Sequence, residues 1–345
     1  MILNFSKLAM VETIGIFFLM FINGCTSHPL STGTEPSYNA TNTLPSTQST
    51  DKTISLTPSL TFTTTTNEKL LVNGNQGILI LNSDGTDITS VSEAMAREDS
   101  DPSLSPDGTK IIFGGKDGEI YIRSIDKDQI TNLTNYPGQD RRPVWSSDGT
   151  KIAFESVRSE HFGIFVMDPD GSNVINVVSM PNDVRLGGWS PDSRYIVFTN
   201  LAYPTEGVIE GVAYSPIYSL QIIDALTGST RTLLEESECN ISNLIAPVFS
   251  PDGTRIAFQG IEQKQIAVYL IDTNGSNLRK LTYGDDNYSN PVWSPDGERI
   301  VVYVSPPRSK PTESAYLAIF NLDGNFEARL PNLDGIVTSW IRINR

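Results

Sequence analysis

The chain has 345 residues and a formal net charge of −15, from 40 acidic and 25 basic residues. This negative charge argues against binding to nucleic acid and against direct docking on anionic lipid, because both of those partners are themselves negative. Only two Cys and two His are present, which disfavours a disulfide framework and a zinc or iron site.

Residues 1–24 have the pattern of a lipoprotein-type signal peptide. Lys7 supplies a short positive region, and residues 13–22 form an apolar stretch that is too short to cross a bilayer comfortably. The next residues resemble a lipobox with cleavage before Cys25, so lipid attachment at Cys25 is predicted. The alternatives are an ordinary secretory signal or an uncleaved anchor. If Cys25 carries a lipid, Cys239 is left without a partner for an intramolecular disulfide.

Residues 25–67 are predicted to form a disordered Ser/Thr/Pro-rich tether. Within 26–66 there are 14 Thr, 7 Ser and 4 Pro, and the apolar residues follow no periodic pattern. A segment of this composition buries too little apolar surface to fold, so it behaves as a spacer. Its expected role is to hold the following domain away from the membrane surface.

The rest of the chain, residues 68–345, repeats one turn sequence five times. It reads SPDGTKIIF at 105–113, SSDGTKIAF at 146–154, SPDSRYIVF at 190–198, SPDGTRIAF at 250–258 and SPDGERIVV at 294–302. Pro presets the first turn dihedral and Gly accepts the positive φ that follows, so each copy predicts a hairpin. The Asp residues of this motif are expected to stabilise the turns; they are Asp107, Asp148, Asp192, Asp252 and Asp296.

Each repeat contains four predicted strands. One precedes the turn and carries a large apolar residue, one follows it, and two more flank a second turn such as DPDG at 168–171. Short strands with a period of about forty residues are typical of a β-propeller. Residues 69–90 lack the first strand of a repeat, and residues 336–343 supply one with Trp340 at the aromatic position. We therefore expect an all-β propeller of six four-stranded antiparallel blades, closed by pairing of the C-terminal strand with the N-terminal blade.

The motif Pro-x-Trp-Ser-Pro-Asp-Gly-x-x-Ile-Ala-Phe resembles the repeat of the TolB-like propeller family over roughly 68–345. The resemblance implies the fold, and it implies a setting in the cell envelope. It is poor evidence for an activity, since the same repeat occurs in proteins of several functions. A lipobox and a tether depart from TolB itself, which is a soluble periplasmic protein with an additional N-terminal domain.

A partner is expected at one end of the propeller. The turn-bearing end is monotonous, whereas the other end carries the variable loops, of which the longest runs from about 200 to 217. Variable loops on a rigid scaffold are where binding usually occurs. The candidate partner-binding residues at this end are Asp140, Arg141, Arg142, His161, Asp183, Arg185, Asp285 and Asp286.

Catalytic chemistry finds little support in the sequence. There is no Gly-x-Ser-x-Gly motif for a hydrolase. DPDGSN at 168–173 and NSDGTD at 82–87 begin like calcium loops but lack the downstream Glu. No cofactor or metal site is therefore predicted, although a cation such as calcium in the channel stays open. A second possibility is a glycan-binding or glycan-cleaving propeller that uses carboxylates at the channel mouth, with Asp99, Asp101, Asp140 and Asp286 as candidates.

The sequence thus predicts a monomeric, extracytoplasmic propeller, tethered to the outer membrane or cell surface by lipidated Cys25. We expect it to have no catalytic residues and to bind a protein or peptide partner in the cell envelope.

Overall fold

The computed structural model describes residues 67–74, 77–91, 100–127, 129–158, 161–181, 183–203, 216–307, 309, 313–330 and 335–343. The signal segment, Cys25 and all of the tether before Asn67 lie outside the described residues, as does most of the long loop at 200–217. In the described part the chain is β-structure and turns, apart from a 3-10 turn at Glu236–Glu238. No helix among these residues has the length and hydropathy needed to cross a membrane.

The strands form six four-stranded sheets. The closing blade contains β1 (Glu68–Gly74), β2 (Gly77–Asn82), β3 (Thr89–Ser90) and β24 (Gly335–Arg342). Blade 1 contains β4 (Ser100–Leu104), β5 (Lys110–Gly114), β6 (Ile120–Ser124) and β7 (Ile130–Asn132). Blade 2 contains β8 (Asp140–Trp145), β9 (Ile152–Arg158), β10 (His161–Met167) and β11 (Ile175–Met180).

The remaining three blades follow the same order. Blade 3 contains β12 (Val184–Trp189), β13 (Tyr195–Ala202), β14 (Ile217–Asp224) and β15 (Thr230–Glu235). Blade 4 contains β16 (Ser242–Phe249), β17 (Arg255–Glu262), β18 (Gln265–Asp272) and β19 (Arg279–Lys280). Blade 5 contains β20 (Asn287–Trp293), β21 (Arg299–Ser305), β22 (Tyr316–Asn321) and β23 (Phe326–Arg329).

Each blade is an antiparallel meander, and the blades form a ring. The first strands β4, β8, β12, β16, β20 and β24 contact one another in cyclic order, so they are the inner strands. The predicted six-bladed propeller is therefore confirmed. We call the end with the motif turns the turn end, and the opposite end, where the connections between blades lie, the loop end.

Ring closure takes place at the predicted strands. β24 pairs antiparallel with β1, with Leu70 opposite Trp340. The buried carboxylate of Glu68 accepts hydrogen bonds from the indole Nε1 of Trp340 at 3.2 Å and from Nη2 of Arg342 at 2.7 Å. The two ends of the domain are thus joined by a sheet and by a buried polar contact, which removes an exposed sheet edge.

The core lies between neighbouring blades. The apolar strand after each motif turn is buried, and Phe113, Phe154, Phe198 and Phe258 are among the largest fully buried side chains. The Trp residues of the inner strands link neighbours. The indole Nε1 of Trp189 donates to the Val144 carbonyl at 3.3 Å, and that of Trp293 donates to the Val248 carbonyl at 3.2 Å.

The motif Asp residues accept hydrogen bonds within their own turns. The Asp107 carboxylate accepts from the Ser105 hydroxyl at 2.5 Å and from the Thr109 amide at 3.0 Å. Equivalent contacts with the Ser two residues earlier form at Asp148, Asp192, Asp252 and Asp296. Each Asp therefore satisfies polar groups that the tight turn leaves unpaired.

Candidate binding site at the channel mouth

The inner strands enclose a central channel of about 830 Å³. Its wall changes in character from one end to the other. At the turn end it is formed by the motif turns, including Pro106, Pro191, Pro251 and Pro295. At the loop end it is formed by the polar residues Asp101, Arg142, Arg185, Asn243 and Asn290. A volume of this size is in the range of ligand-binding sites.

Every inner strand is interrupted by a bulge near its middle. In β8, for example, the register with β9 shifts between Arg141 and Val144. The residue before the inner-strand Pro has a positive φ at Asp101 (55°), Arg142 (50°), Ala246 (51°) and Asn290 (50°). Pro lacks the amide that a regular ladder needs, and a bulge tolerates its absence. The bulge turns the preceding side chain toward the channel mouth.

One residue before the large apolar residue of each inner strand, the six blades present a ring of small and medium-sized side chains to the channel. The ring consists of Ser103, Val144, Gly188, Val248, Val292 and Ser339. A Cβ placed on Gly188 would meet no atom within 4 Å, so this position opens into the channel. At Gly187, by contrast, a Cβ would lie 2.2 Å from the Pro247 carbonyl oxygen, so blade 4 packs directly on the backbone there.

The loop-end mouth is dominated by the buried carboxylate of Glu155, whose side chain is 3% exposed. It accepts hydrogen bonds from Arg141 Nε at 2.9 Å and Arg142 Nη1 at 3.3 Å in its own blade. It also accepts one from the Leu186 amide of blade 3 at 2.7 Å. Arg185 Nη1 lies 4.0 Å from the same carboxylate. Glu155 therefore holds three arginines and joins two blades.

Two more carboxylates, both partly exposed, complete this cluster. Asp183 pairs with Arg141 Nη2 at 3.1 Å and with Arg185 Nη2 at 2.7 Å. Asp101 of blade 1 pairs with Arg142 Nε at 3.2 Å. Burial disfavours the charged guanidinium of Arg142, but the carboxylates of Glu155 and Asp101 outweigh this effect and raise its pKa. We call Asp101, Arg141, Arg142, Glu155, Asp183 and Arg185 the mouth cluster.

Comparison with solved structures finds the same fold. TolB from Acinetobacter baumannii matches with a TM-score of 0.61 at 22% identity, over 79% of this chain and 66% of that chain. A structure assigned to TolB of Agrobacterium tumefaciens matches with a TM-score of 0.60 at 19% identity, over 79% and 92%. The chain has the TolB propeller fold. No protein-family model matches the sequence, and no curated protein matches it either.

An enzyme shares this fold at a lower level of similarity. An oligogalacturonate lyase in complex with manganese matches with a TM-score of 0.50 at 19% identity, over 67% of this chain and 65% of that chain. Among the described residues of the present chain, no group of three His, Cys, Asp or Glu side chains lies close enough together to hold a metal ion.

The structure brings four of the eight predicted partner-binding residues together. Arg141, Arg142, Asp183 and Arg185 belong to the mouth cluster. The sequence analysis assigns Asp140, Arg141, Arg142 and Arg185 to connecting loops, but β8 begins at Asp140 and β12 at Val184, so all four lie in inner strands. The inner strand extends this far because its bulge accommodates the Pro within it.

The other four predicted residues lie apart from the cluster contacts. Asp140 is buried, and its carboxylate accepts hydrogen bonds from Arg158 Nη2 at 2.7 Å and from the Ser156 hydroxyl. His161 is exposed at the start of β10. Asp285 is exposed and Asp286 half-buried on the connection between blades 4 and 5. Burial first, and the Asp286 carboxylate second, raise the pKa of Tyr316.

Sequence reasoning missed Glu155, Gly188 and Tyr218, which shape the channel and its loop-end mouth. The sequence contains a signal for Glu155. The equivalent position, directly after the first three buried residues of the second strand, is uncharged in every other blade. Those positions hold Asn73, Gly114, Thr199, Gln259 and Tyr303. Tyr218 lies in the channel wall, and burial is the main cause that raises its pKa. No pattern in the sequence indicates that Tyr218 reaches the channel.

Proposed function

We propose that this chain is a non-catalytic extracytoplasmic propeller that binds a protein or peptide segment at the loop-end mouth of its channel. The mouth cluster carries this proposal. It places three arginines, each about one-third exposed, at the mouth of a channel whose wall below them includes the apolar side chains Val144, Val248 and Val292. Such a site offers a few directional polar groups around an apolar cleft, which is the usual composition of a binding site.

The non-catalytic assignment is supported by how the carboxylates are used. A general acid or base needs a carboxyl group that is free to exchange a proton with a substrate. Glu155 accepts three hydrogen bonds, and Asp140 is buried against Arg158 and Ser156. Both carboxylates therefore act in holding the fold. The glycan-cleaving alternative counts Asp140 among its candidate carboxylates, and this geometry does not favour Asp140 as an acid or base.

The cellular setting of the proposal comes from the sequence and from the TolB likeness. Lipid on Cys25 would tether a monomeric propeller to the outer membrane or cell surface, with residues 25–67 as the spacer and 68–345 as the binding domain. Metabolic labelling with a palmitate analogue tests this directly. The full chain is expected to incorporate the label, and Cys25→Ser is expected to lose both the label and membrane fractionation. Retention of the label by Cys25→Ser would contradict the tether.

The binding site is tested with a variant that fills the channel. Gly188→Trp projects an indole into open space at an unstrained position, so it should obstruct the channel without unfolding the blade. Leu226→Trp is the matched control, since Leu226 is 83% exposed at the turn end of the same blade. Full-length proteins would capture partners from envelope extract, and recovered proteins would be purified and their affinities measured.

We expect Gly188→Trp to weaken binding of the purified partner by at least about ten-fold, the loss of one well-placed contact region. Leu226→Trp should bind as the natural chain does. Equal binding by all three proteins would place the partner elsewhere and contradict the proposal. Turnover of any polysaccharide by the natural chain would contradict the non-catalytic assignment.

A further inference from the structure

The channel wall has a charge bias that the rest of the molecule lacks. Among the described residues that line the channel, the charged ones are Arg142, Arg185 and Asp101 at the loop end and Arg342 at the turn end. The whole chain, in contrast, carries a net charge of −15. Glu155, Asp183 and Glu68 pair with these arginines but do not themselves line the channel. A ligand in the channel therefore meets guanidinium edges and a single carboxylate.

That single carboxylate is the least firmly held acid of the mouth cluster. The Asp101 side chain is 40% exposed, and among the described residues it makes one ion pair, with Arg142 Nε at 3.2 Å. Asp183 is 21% exposed and pairs with two arginines, and Glu155 is 3% exposed. Asp101 also has a positive φ of 55°, a conformation that a non-glycine residue adopts at some cost. The bond between Asp101 and Arg142 is thus the one that a ligand can most easily replace.

Arg142 is well placed to exchange partners. Its Nη1 is fixed by Glu155 at 3.3 Å, which holds the guanidinium in position, while its Nε faces Asp101. A planar guanidinium fork binds carboxylates directionally, and it stays charged throughout. Loss of Asp101 from Arg142 would leave a preorganised cation at the channel mouth.

We propose that Asp101 occupies the place on Arg142 that an acidic side chain of the bound peptide takes, so that binding exchanges one carboxylate for another. This inference rests on the proposed function and names the chemistry of its ligand, a peptide segment with Asp or Glu at one defined position. The exchange leaves Arg142 paired with one carboxylate throughout, and the displaced Asp101 carboxylate turns toward solvent at a position that is already partly exposed.

If Asp101 competes with the ligand for Arg142, removing the charge of Asp101 should strengthen ligand binding. Removing the charge of Asp101 with Asp101→Asn should tighten binding of acidic peptides by about two- to five-fold, the worth of an exposed ion pair. Removing the guanidinium with Arg142→Gln should weaken binding of acidic peptides by about ten-fold or more, which is the contribution of a charge-assisted hydrogen bond. Arg142→Lys keeps the charge but loses the planar guanidinium, so its affinity for acidic peptides should lie between those of the natural chain and Arg142→Gln.

The test uses a positional-scanning library of hexapeptides and the full chain. Bound peptides from the natural protein, Asp101→Asn, Arg142→Lys and Arg142→Gln would be sequenced, and affinities of selected peptides measured with Asp or Glu and with the matching Asn or Gln. Arg231→Gln is the control, since Arg231 is an exposed arginine on the outer strand β15. Thermal unfolding of each variant shows that it is folded.

We expect Asp or Glu to be enriched at one position, to lose enrichment with Arg142→Gln, and to gain affinity with Asp101→Asn. Peptides that bind without acidic enrichment would overturn the carboxylate exchange and leave the proposed function standing. Retention of no peptide would overturn both. An oligogalacturonate competitor is included, and Arg142-dependent binding of this uronate in place of peptides would overturn the peptide as occupant.

Discussion

The hydroxyl groups of Ser147 and Ser193 cross-link two neighbouring motif turns at the junction of blades 2 and 3. Ser147 donates to the Ser190 carbonyl at 3.0 Å, and the Asp148 amide donates to the Ser193 hydroxyl at 3.0 Å. These two residues are also the two departures from the Ser-Pro-Asp-Gly motif, where Ser147 replaces Pro and Ser193 replaces Gly. Both departures therefore occur at one interface and each bonds the other's turn.

The neighbouring junctions show what this pair replaces. Elsewhere the motif Gly of one blade packs on the motif Pro of the preceding blade. A Cβ at Gly253 would lie 3.4 Å from Pro191, and one at Gly297 would lie 3.5 Å from Pro251. At blades 2 and 3 two hydrogen bonds stand in place of this contact. Ser193 retains the positive φ of the Gly it replaces, at 58°.

We therefore expect the two serines to be energetically coupled. Ser147→Pro should destabilise the fold by about 1–2 kcal/mol, because it loses a hydrogen bond and brings a ring against the Ser193 side chain. Ser193→Gly should be near neutral, since relief of the positive φ offsets the lost bond. The double variant restores the Pro–Gly contact. Urea unfolding should give a coupling energy of about 1 kcal/mol, and strictly additive effects would contradict this account.

Ring closure provides a second prediction. Trp340 is 6% exposed and its indole donates to Glu68. Trp340→Ala should lower the free energy of unfolding by about 3–5 kcal/mol, through lost burial and a cavity between the closing blade and blade 5. Trp340→Phe keeps the ring packing and loses only the hydrogen bond, so its cost should be about 1–2 kcal/mol. Equal costs for the two variants in chemical denaturation would show that packing is not what Trp340 supplies.

Much of this fold can be predicted from the sequence because the residues that determine it are close together along the chain. A turn motif and an apolar strand recur together, so five copies of the same hairpin follow from short stretches of chain. Closure could also be predicted, because residues 69–90 lack an inner strand and residues 336–343 supply one. The aromatic at Trp340 fixed the position of that strand within the repeat.

The mouth cluster was harder to predict from the sequence because its contacts join residues that are far apart along the chain. Glu155 bonds Arg141 across a hairpin and the Leu186 amide across a blade interface, and neither partner is set by the sequence near Glu155. The bulges had a local signal in the inner-strand Pro residues, which a regular ladder does not accommodate. The sequence analysis places Asp101 at the channel mouth as a candidate carboxylate and Arg142 among the candidate partner-binding residues, but nothing local indicates that the two side chains pair with each other.

The third prediction concerns the burial of Glu155. Glu155→Ala removes the carboxylate that three arginines share and leaves the Leu186 amide without its acceptor, so it should cost about 3–5 kcal/mol. Glu262→Ala is the matched control, since Glu262 is 35% exposed and pairs with Lys280 at 3.1 Å. A surface pair of this kind, with both side chains partly exposed, contributes about 0–1 kcal/mol. Similar midpoints of thermal unfolding for the two variants would contradict a structural role for Glu155.

Acid unfolding should report the motif turns. The hydrogen bond from Ser105 is the main cause that lowers the pKa of Asp107 below its usual 3.8. At Asp148, Asp252 and Asp296 partial burial acts in the opposite direction, but hydrogen bonds within the turn outweigh it and lower the pKa of each.

A carboxyl whose pKa is depressed in the folded state stabilises the fold above its unfolded pKa, and this contribution is lost as pH falls through the folded pKa. The thermal midpoint should therefore decline as the pH is lowered below about 4. Replacing the four Asp residues by Asn should lower stability at neutral pH and flatten the decline in acid, whereas an unchanged slope would assign the acid sensitivity to other carboxylates.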